Sequence, residues 1–248
     1  MESSVNHEGR YFMEERMNKD LLGSFRNFVF IGESGSGKTE LGIHVALMLK
    51  KLHEEVHFFD LDQTKPLFRA RDVKELMEEK GIVVHVRKQF QDIPSMVSGV
   101  AESLQDSGQY TLLDIGGNVH GALMAGQLER YLNTEETCVF YLINVYRPWS
   151  RDAVHIRETR DSILGACKVA QVRLISNPSL GPSTTFQESV EGHRRLGRML
   201  GDGARIDYVC VPEHLPGDAR FGAEELGADV IPIRPCIHMP GVQSTEFK

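Results

Sequence analysis

The chain is poor in cysteine, has no long apolar run and carries no surplus of positive charge. Its four cysteines, Cys138, Cys167, Cys210 and Cys236, lie far apart and none forms a C-x-x-C. In a chain of 248 residues that pattern excludes a disulfide scaffold and reads as a reduced, cytoplasmic protein. The longest strongly apolar stretch, Cys138–Val145, is interrupted by Asn144, well short of the about 20 residues a membrane-spanning helix needs. The start, MESSVNHEGRYFMEER, has early acids and no apolar core, which excludes a signal peptide. Glu2 stands where myristoylation requires glycine. Lys plus Arg is 28 against 35 for Asp plus Glu, a formal net charge of -7, so no nucleic-acid partner is expected. There is no internal repeat, low-complexity tract or linker.

What is present is an ordinary globular composition, 41% hydrophobic and 25% charged. Residues 1–24 read as a polar N-terminal extension, either a short helix over Tyr11–Leu22 or a mobile arm, and residues 25–248 as one domain. From Arg26 onward, short apolar runs alternate with segments of helical period. The runs are Phe28–Ile31, Val56–Phe59, Ile82–Val86, Tyr110–Leu113, Cys138–Ile143, Val172–Ile175 and Tyr208–Val211. The helical segments are Thr39–Lys51, Val73–Lys80, Pro94–Asp106, Ser150–Ala166 and Phe186–Leu200. Alternation of this kind predicts a doubly wound α/β domain, a mainly parallel sheet of seven to eight strands with helices on both faces. Runs apolar throughout, rather than at every second residue, fit strands buried on both faces. Phe28–Ile31 is expected at the centre.

Gly32-Glu33-Ser34-Gly35-Ser36-Gly37-Lys38-Thr39 satisfies G-x-x-x-x-G-K-[ST], with a strand entering and a helix leaving. Glycines let backbone N–H groups turn around phosphate oxygens, and the helix points its positive end at the same anion. Lys38 is expected to reach the β- and γ-phosphates and Thr39 to place its hydroxyl on Mg²⁺. Gly32, Ser34, Gly35, Ser36, Gly37, Lys38, Thr39 and Glu40 are therefore the expected nucleotide cradle. Two strand ends add carboxylates, Asp60-Leu61-Asp62 and Asp114-Ile115-Gly116-Gly117. Ligands of open α/β sheets bind at such ends, which makes Lys38, Asp60, Asp62 and Asp114 the catalytic candidates and Thr39, Asp62 and Asp114 those for the metal.

In order and spacing these segments resemble the MinD/ParA-like branch of P-loop NTPases, the nitrogenase-reductase-related SIMIBI class that also holds arsenical-pump and metallocentre-assembly enzymes. Asp60-Leu61-Asp62 is similar to the family's D-x-D, and Leu113-Asp114-Ile115-Gly116-Gly117 to its second switch, which implies that Gly117 contacts the γ-phosphate. Asn144–Ala153 resembles the loop and helix start after the next strand. Ile175-Ser176-Asn177 and Val211-Pro212-Glu213 resemble the base-contacting strand ends, so Asn177, Pro212 and Glu213 are implied to hold a purine. Glu33 stands where many members carry a second lysine that crosses a dimer interface. A carboxylate there repels phosphate, so the likeness is to members with an ordinary loop, among them switches in nickel-enzyme and cobalamin-enzyme assembly. Gly32–Glu40 is also similar to the myosin loop, but the chain has neither the length nor the other motifs of a motor.

The resemblance implies a Mg²⁺-dependent nucleoside-triphosphate hydrolase, a nucleotide switch that cycles between ATP and ADP, acts on a protein client and works as a homodimer. The alternative is an ATP-dependent transferase or ligase of the same fold, like the cobyrinate-amidating and dethiobiotin synthetases. ATP is preferred over GTP because Asn177-Pro178-Ser179-Leu180 lacks the acid of N-K-x-D. The stretch Asp62–Arg71, with Lys65, Arg69 and Arg71, reads as a first switch loop, as a binder of an anionic substrate or partner subunit, or as a solvated connection. Arg147 and Arg151 either line the cleft or decorate a helix start. Cys236-Ile237-His238-Met239 offers too few strong ligands for a closed zinc site. His53, His57 and His120 read as ordinary.

Overall fold

The strand that feeds the phosphate loop, β1 (Asn27–Gly32), is buried along its whole length. It pairs in parallel with β4 (Tyr110–Asp114) on one side and β5 (Thr137–Ile143) on the other. The computed structural model describes residues 22–62, 74–86, 98–201, 203–213 and 226–234. Within them β2 (Val56–Asp60), β3 (Val83–Val86), β6 (Arg173–Ser176), β7 (Tyr208–Pro212) and β8 (Asp229–Ile233) complete an eight-stranded sheet in the order β3-β2-β4-β1-β5-β6-β7-β8. Every pairing is parallel. This is the single α/β domain the alternation predicts, with Phe28–Ile31 central. All seven apolar runs are strands.

Alternate residues of β1 face opposite cores, as the two-residue period of a strand requires. Phe28 and Phe30 face a core with Leu112, Phe140 and Leu142. The ring of Phe140 stacks on Phe30 at 5.5 Å and on Phe28 at 6.3 Å. Helix α1 (Lys38–Leu52) covers this side with Leu41, Val45 and Leu49. Val29 and Ile31 face the second core with Leu113, Val139 and Tyr141. Helices α2 (Val100–Gln105), α3 (Val119–Ala125), α4 (Glu129–Leu132), α5 (Ala153–Cys167) and α6 (Phe186–Leu200) contribute to that side.

The helix starts follow from capping chemistry. Asn118 Oδ1 accepts from Gly121 N ahead of α3, and Asp152 Oδ1 accepts from Val154 N and His155 N ahead of α5. Thr185 and Glu188 form a reciprocal capping box on α6. Helix α1 differs, since no side chain caps it at Gly37.

The helix expected over Val73–Lys80 is seen from residue 74 to 79. Of Pro94–Asp106, the described part is α2. Helices α3 and α4 come from a stretch that shows no helical period in the sequence. Leu22, within the expected extension, is buried in the Phe28 core. Residues 1–21 lie outside the described residues, as do residues 63–71, the expected switch stretch with Lys65, Arg69 and Arg71, and the tract with Cys236 and His238. Among the described residues no helix is long and apolar enough to cross a membrane.

Candidate functional site

At the end of β1 the chain turns through the phosphate loop and enters α1. Gly37 sits in the left-handed region at φ 96°, and a Cβ there would lie 2.1 Å from Asn177 Nδ2. Both the backbone sign and the space require glycine. Three carbonyls of the loop are each held by a donor. Lys38 Nζ donates to Glu33 O at 2.8 Å, Arg147 Nε to Gly35 O at 3.1 Å and Asn177 Nδ2 to Ser36 O at 2.7 Å. A carbonyl facing a phosphate repels it, so this pinning suits an anion-binding loop. Lys38 is buried. The Ser36 hydroxyl is buried too and has no hydrogen-bond partner among the described residues, an unused donor inside the loop.

The first residue of α1 after Lys38 meets the end of β4. Thr39 Oγ1 donates to Asp114 Oδ2 at 2.6 Å, and Asp114 is fully buried. Asp114 and Asp60 are register partners on β4 and β2. Asp60 Oδ1 accepts from the amide of Asp62 at 3.0 Å, a local bond that fixes the chain just past β2. Asp62 then lies beside the segment after β4, its Oδ1 only 3.2 Å from where a Cβ on Gly116 would stand. A Cβ on Gly117 would come within 2.5 Å of Ser34 N and 2.8 Å of Glu33 C. That segment thus rests directly on the phosphate loop, and only glycine permits the approach. Thr39, Asp62 and Asp114 are hard oxygen donors, two of them in contact, and their chemistry fits Mg²⁺.

Glu33 turns away from the cradle. It is 5% exposed, and Ser150 Oγ donates to its Oε2 at 3.4 Å. Burial raises its carboxyl above the usual range, partly offset by Ser150 and by the charge of Lys38. The Tyr141 hydroxyl is buried with no partner among the described residues. Burial raises its pKa, with the Glu33 charge adding to the shift.

The connection between β5 and α5 braces the site. Asn144 Nδ2 donates to Ser179 O at 2.7 Å, and its Oδ1 accepts from Tyr146 N and Ser179 N. This ties the end of β5 to the turn after β6, the turn that carries Asn177. Arg147, left open above between cleft and surface, reaches the loop at Gly35. Arg151 sits at the start of α5 against Asp152 and His155. Asn144 and Ser150 lie in the segment that resembles the family's loop and helix start, but neither was assigned a role from sequence, because their partners lie 35 and 117 residues away. Glu40 stands in the first turn of α1.

Toward β8 the geometry is different. Glu213 N donates to Ile233 O at 2.9 Å, and Arg234 Nε lies 3.3 Å from Glu213 Oε2. Pro212 pairs with Ile233 in the ladder. Both residues expected to border a purine are thus engaged with β8 and the residue after it. Among the described residues no three His, Cys, Asp or Glu side chains gather into a metal-binding group.

No protein-family model matches the chain. No curated protein matches it either. Solved structures do. FtsY from Mycoplasma mycoides is similar at a TM-score of 0.50 and 14% identity, over 76% of this chain and 60% of that one. The signal recognition particle receptor FtsY from Elizabethkingia anophelis, in complex with GDP, is similar at 0.42 and 15%, over 69% and 58%. A nucleotide-binding protein from Archaeoglobus fulgidus, in complex with ADP, gives 0.42 and 16%, over 79% and 84%. The chain thus spans less than two thirds of the FtsY structures it matches. The Mycoplasma likeness is one of fold, and with the phosphate loop in place the fold is that of a P-loop NTPase.

Proposed function

We propose that the chain is a Mg²⁺-dependent nucleoside-triphosphate hydrolase that uses ATP and switches its conformation to act on a protein client. The observation that carries this reading is the contact between the Thr39 hydroxyl and the buried Asp114 carboxylate, a pair of oxygens beside a loop whose carbonyls are pinned by donors. In this reading Thr39, Asp62 and Asp114 hold Mg²⁺, which neutralises charge on the β- and γ-phosphates. Lys38 moves its ammonium from Glu33 O to the phosphate oxygens, and the Ser36 hydroxyl donates to one of them. Asp60 or Asp62 orients the attacking water. Gly117 carries γ-phosphate contact into α3, because its place against Ser34 changes if the loop shifts.

The base is read without an acid at the strand end, since Asn177-Pro178-Ser179-Leu180 has none; that supports ATP over GTP. Asn177 acts first on the loop and borders the purine from there, with Pro212 and Glu213 behind it. A client is supported by four exposed apolar side chains. Val119 and Leu123 lie one turn apart on α3, and Trp149 and Val154 flank the start of α5. Exposed apolar groups beside a switch suit a protein partner. A homodimer formed without a trans lysine, with Arg147 near its interface, completes the proposal.

Calorimetry with Mg·ATP and Mg·GTP, followed by steady-state hydrolysis with no other substrate, tests it. Binding at micromolar ATP is expected, with GTP weaker, and Lys38→Ala should abolish turnover. No binding of either nucleotide at millimolar concentration sinks the reading, and tighter GTP binding sinks the choice of base. Turnover that requires an added small molecule would favour the transferase or ligase chemistry instead. Light scattering with ADP and with a non-hydrolysable ATP analogue tests the dimer.

A further inference from the structure

Away from the phosphate site, β2 and β3 bring two imidazoles together. His57 Nδ1 and His85 Nε2 lie 3.0 Å apart, with ring planes inclined by 23°. His57 is the register partner of Val83 and His85 of Phe59, so the two are diagonal neighbours on one face of the sheet. Each ring is held by a second contact. Glu55 Oε2 stands 3.6 Å from His57 Nε2, beyond hydrogen-bond reach, and its charge favours the proton on that nitrogen, which leaves the Nδ1 lone pair turned toward His85. The ring of His85 lies on Phe59, with centroids 4.1 Å apart and planes 6° from parallel. The His57 side chain is 19% exposed, so an ion in water has access to it.

We propose that His57 and His85 form a two-nitrogen binding site for a borderline divalent transition-metal ion, Cu²⁺, Ni²⁺ or Zn²⁺. Metal–imidazole bonds of about 2.0–2.1 Å place two nitrogens on one ion about 2.9–3.4 Å apart at right-angled to tetrahedral geometry. The observed 3.0 Å already falls in that range. The proton shared between the rings leaves the bridge by a change of tautomer: His85 carries it on Nδ1 and frees Nε2. A turn of each ring about its Cβ–Cγ bond then aims both lone pairs at one point. Glu55 occupies the place of the carboxylate to which a metal-bound histidine donates through its other nitrogen. No third protein ligand is present among the described residues, so water completes the shell and the ion exchanges freely. Mg²⁺, which prefers oxygen, is not a ligand here. The bound ion fastens β3, at the end of the sheet order, to β2.

The test titrates the full chain with CuCl₂, NiCl₂ or ZnCl₂ alone, by calorimetry and, for Cu²⁺, by electron paramagnetic resonance. A single tight Cu²⁺ with low-micromolar Kd is expected, Ni²⁺ and Zn²⁺ weaker, and a Cu²⁺ spectrum split by two imidazole nitrogens. His57→Ala and His85→Ala should each weaken Cu²⁺ at least tenfold. The double variant should be no worse than either, because losing one ligand already removes the chelate. Glu55→Gln should have a smaller effect. The chain has 10 histidines, so Cu²⁺ affinity unchanged in both variants overturns the proposal. If a variant does not fold, nitrogen NMR of the wild-type imidazoles decides the matter. Zn²⁺ must shift both His57 and His85, and a shift in neither overturns the site.

Discussion

The side-chain amide of Asn177, just past the end of β6, donates to the carbonyl of Ser36 at 2.7 Å, a contact between residues 141 positions apart. It holds the crown of the phosphate loop against the strand two places away from β1 in the sheet.

Asn177→Ala removes that donor and leaves a partly buried carbonyl unpaired, at a cost of about 1–3 kcal/mol. Triphosphate affinity should fall about tenfold or more, since about 1.4 kcal/mol is a factor of ten. Calorimetry reads the affinity, and circular dichroism should show the fold retained. Gly37→Ala is more severe, because the new Cβ would meet Asn177 Nδ2 at 2.1 Å in a left-handed backbone, and nucleotide binding should be lost.

Asp114→Asn keeps the shape of the side chain and still lets Thr39 donate to it, but removes the charge. Turnover should drop about 100-fold while nucleotide Kd changes less than about threefold, the pattern of an interaction made in the transition state. Single-turnover hydrolysis beside equilibrium binding separates the two. Equal losses would mean that Asp114 only shapes the loop.

The pH dependence carries a signature of Glu33. Burial raises its carboxyl above the ordinary 4.5. The folded state therefore holds the proton more tightly than the unfolded chain does. The stability this contributes is complete below the ordinary carboxylate pKa and is lost as pH rises through the raised folded value. Glu33→Gln removes the ionisation, so the variant should be more stable than wild type at neutral pH, with the gap closing near pH 4. Urea unfolding between pH 4 and 8 checks it.

His44, on α1, acts in the opposite direction. Burial lowers it from 6.5 to about 4, against the pull of the Glu213 charge. Below 6.5 the unfolded chain takes up a proton that the folded state refuses, so stability falls as pH drops from 6.5 toward 4. His44→Gln should flatten that part of the stability profile. A variant as sensitive as wild type over this window would refute the assignment.

The architecture was legible because β1 and its neighbours are buried on both faces and read as unbroken apolar runs. Strand β8 escaped notice: Pro232 breaks its pattern, which an end strand tolerates and an interior one does not. Helix α3 was hidden by Gly121 within it and by Gly126 at its C-cap. A Cβ on Gly121 would stand 2.7 Å from Gly116 O, and one on Gly126 2.3 Å from Ala166 O. Close packing selects glycine there at the expense of helix propensity. The phosphate loop was readable since its chemistry lies within eight consecutive residues. Its braces were not. Ser150 on Glu33 and Arg147 on Gly35 join residues more than a hundred positions apart, and no local pattern records such a contact. His57 read as ordinary for the same reason, since only the β2–β3 register makes it a neighbour of His85.

The order of the sheet has one more consequence. Strands β1 to β4 form one flank and β5 to β8 the other, and they meet only where β1 lies against β5. The chain passes between the flanks once, through the exposed turn at residues 133–136. A peptide cut in that turn leaves two fragments, one with Lys38, Thr39 and Asp114, the other with Arg147, Ser150 and Asn177. In the proposed binding mode the phosphates meet the first fragment, while the base and the braces of the loop belong to the second. A ligand that touches both pulls them together by mass action, so the halves of this molecule, made separately, should reassemble in proportion to the nucleotide supplied.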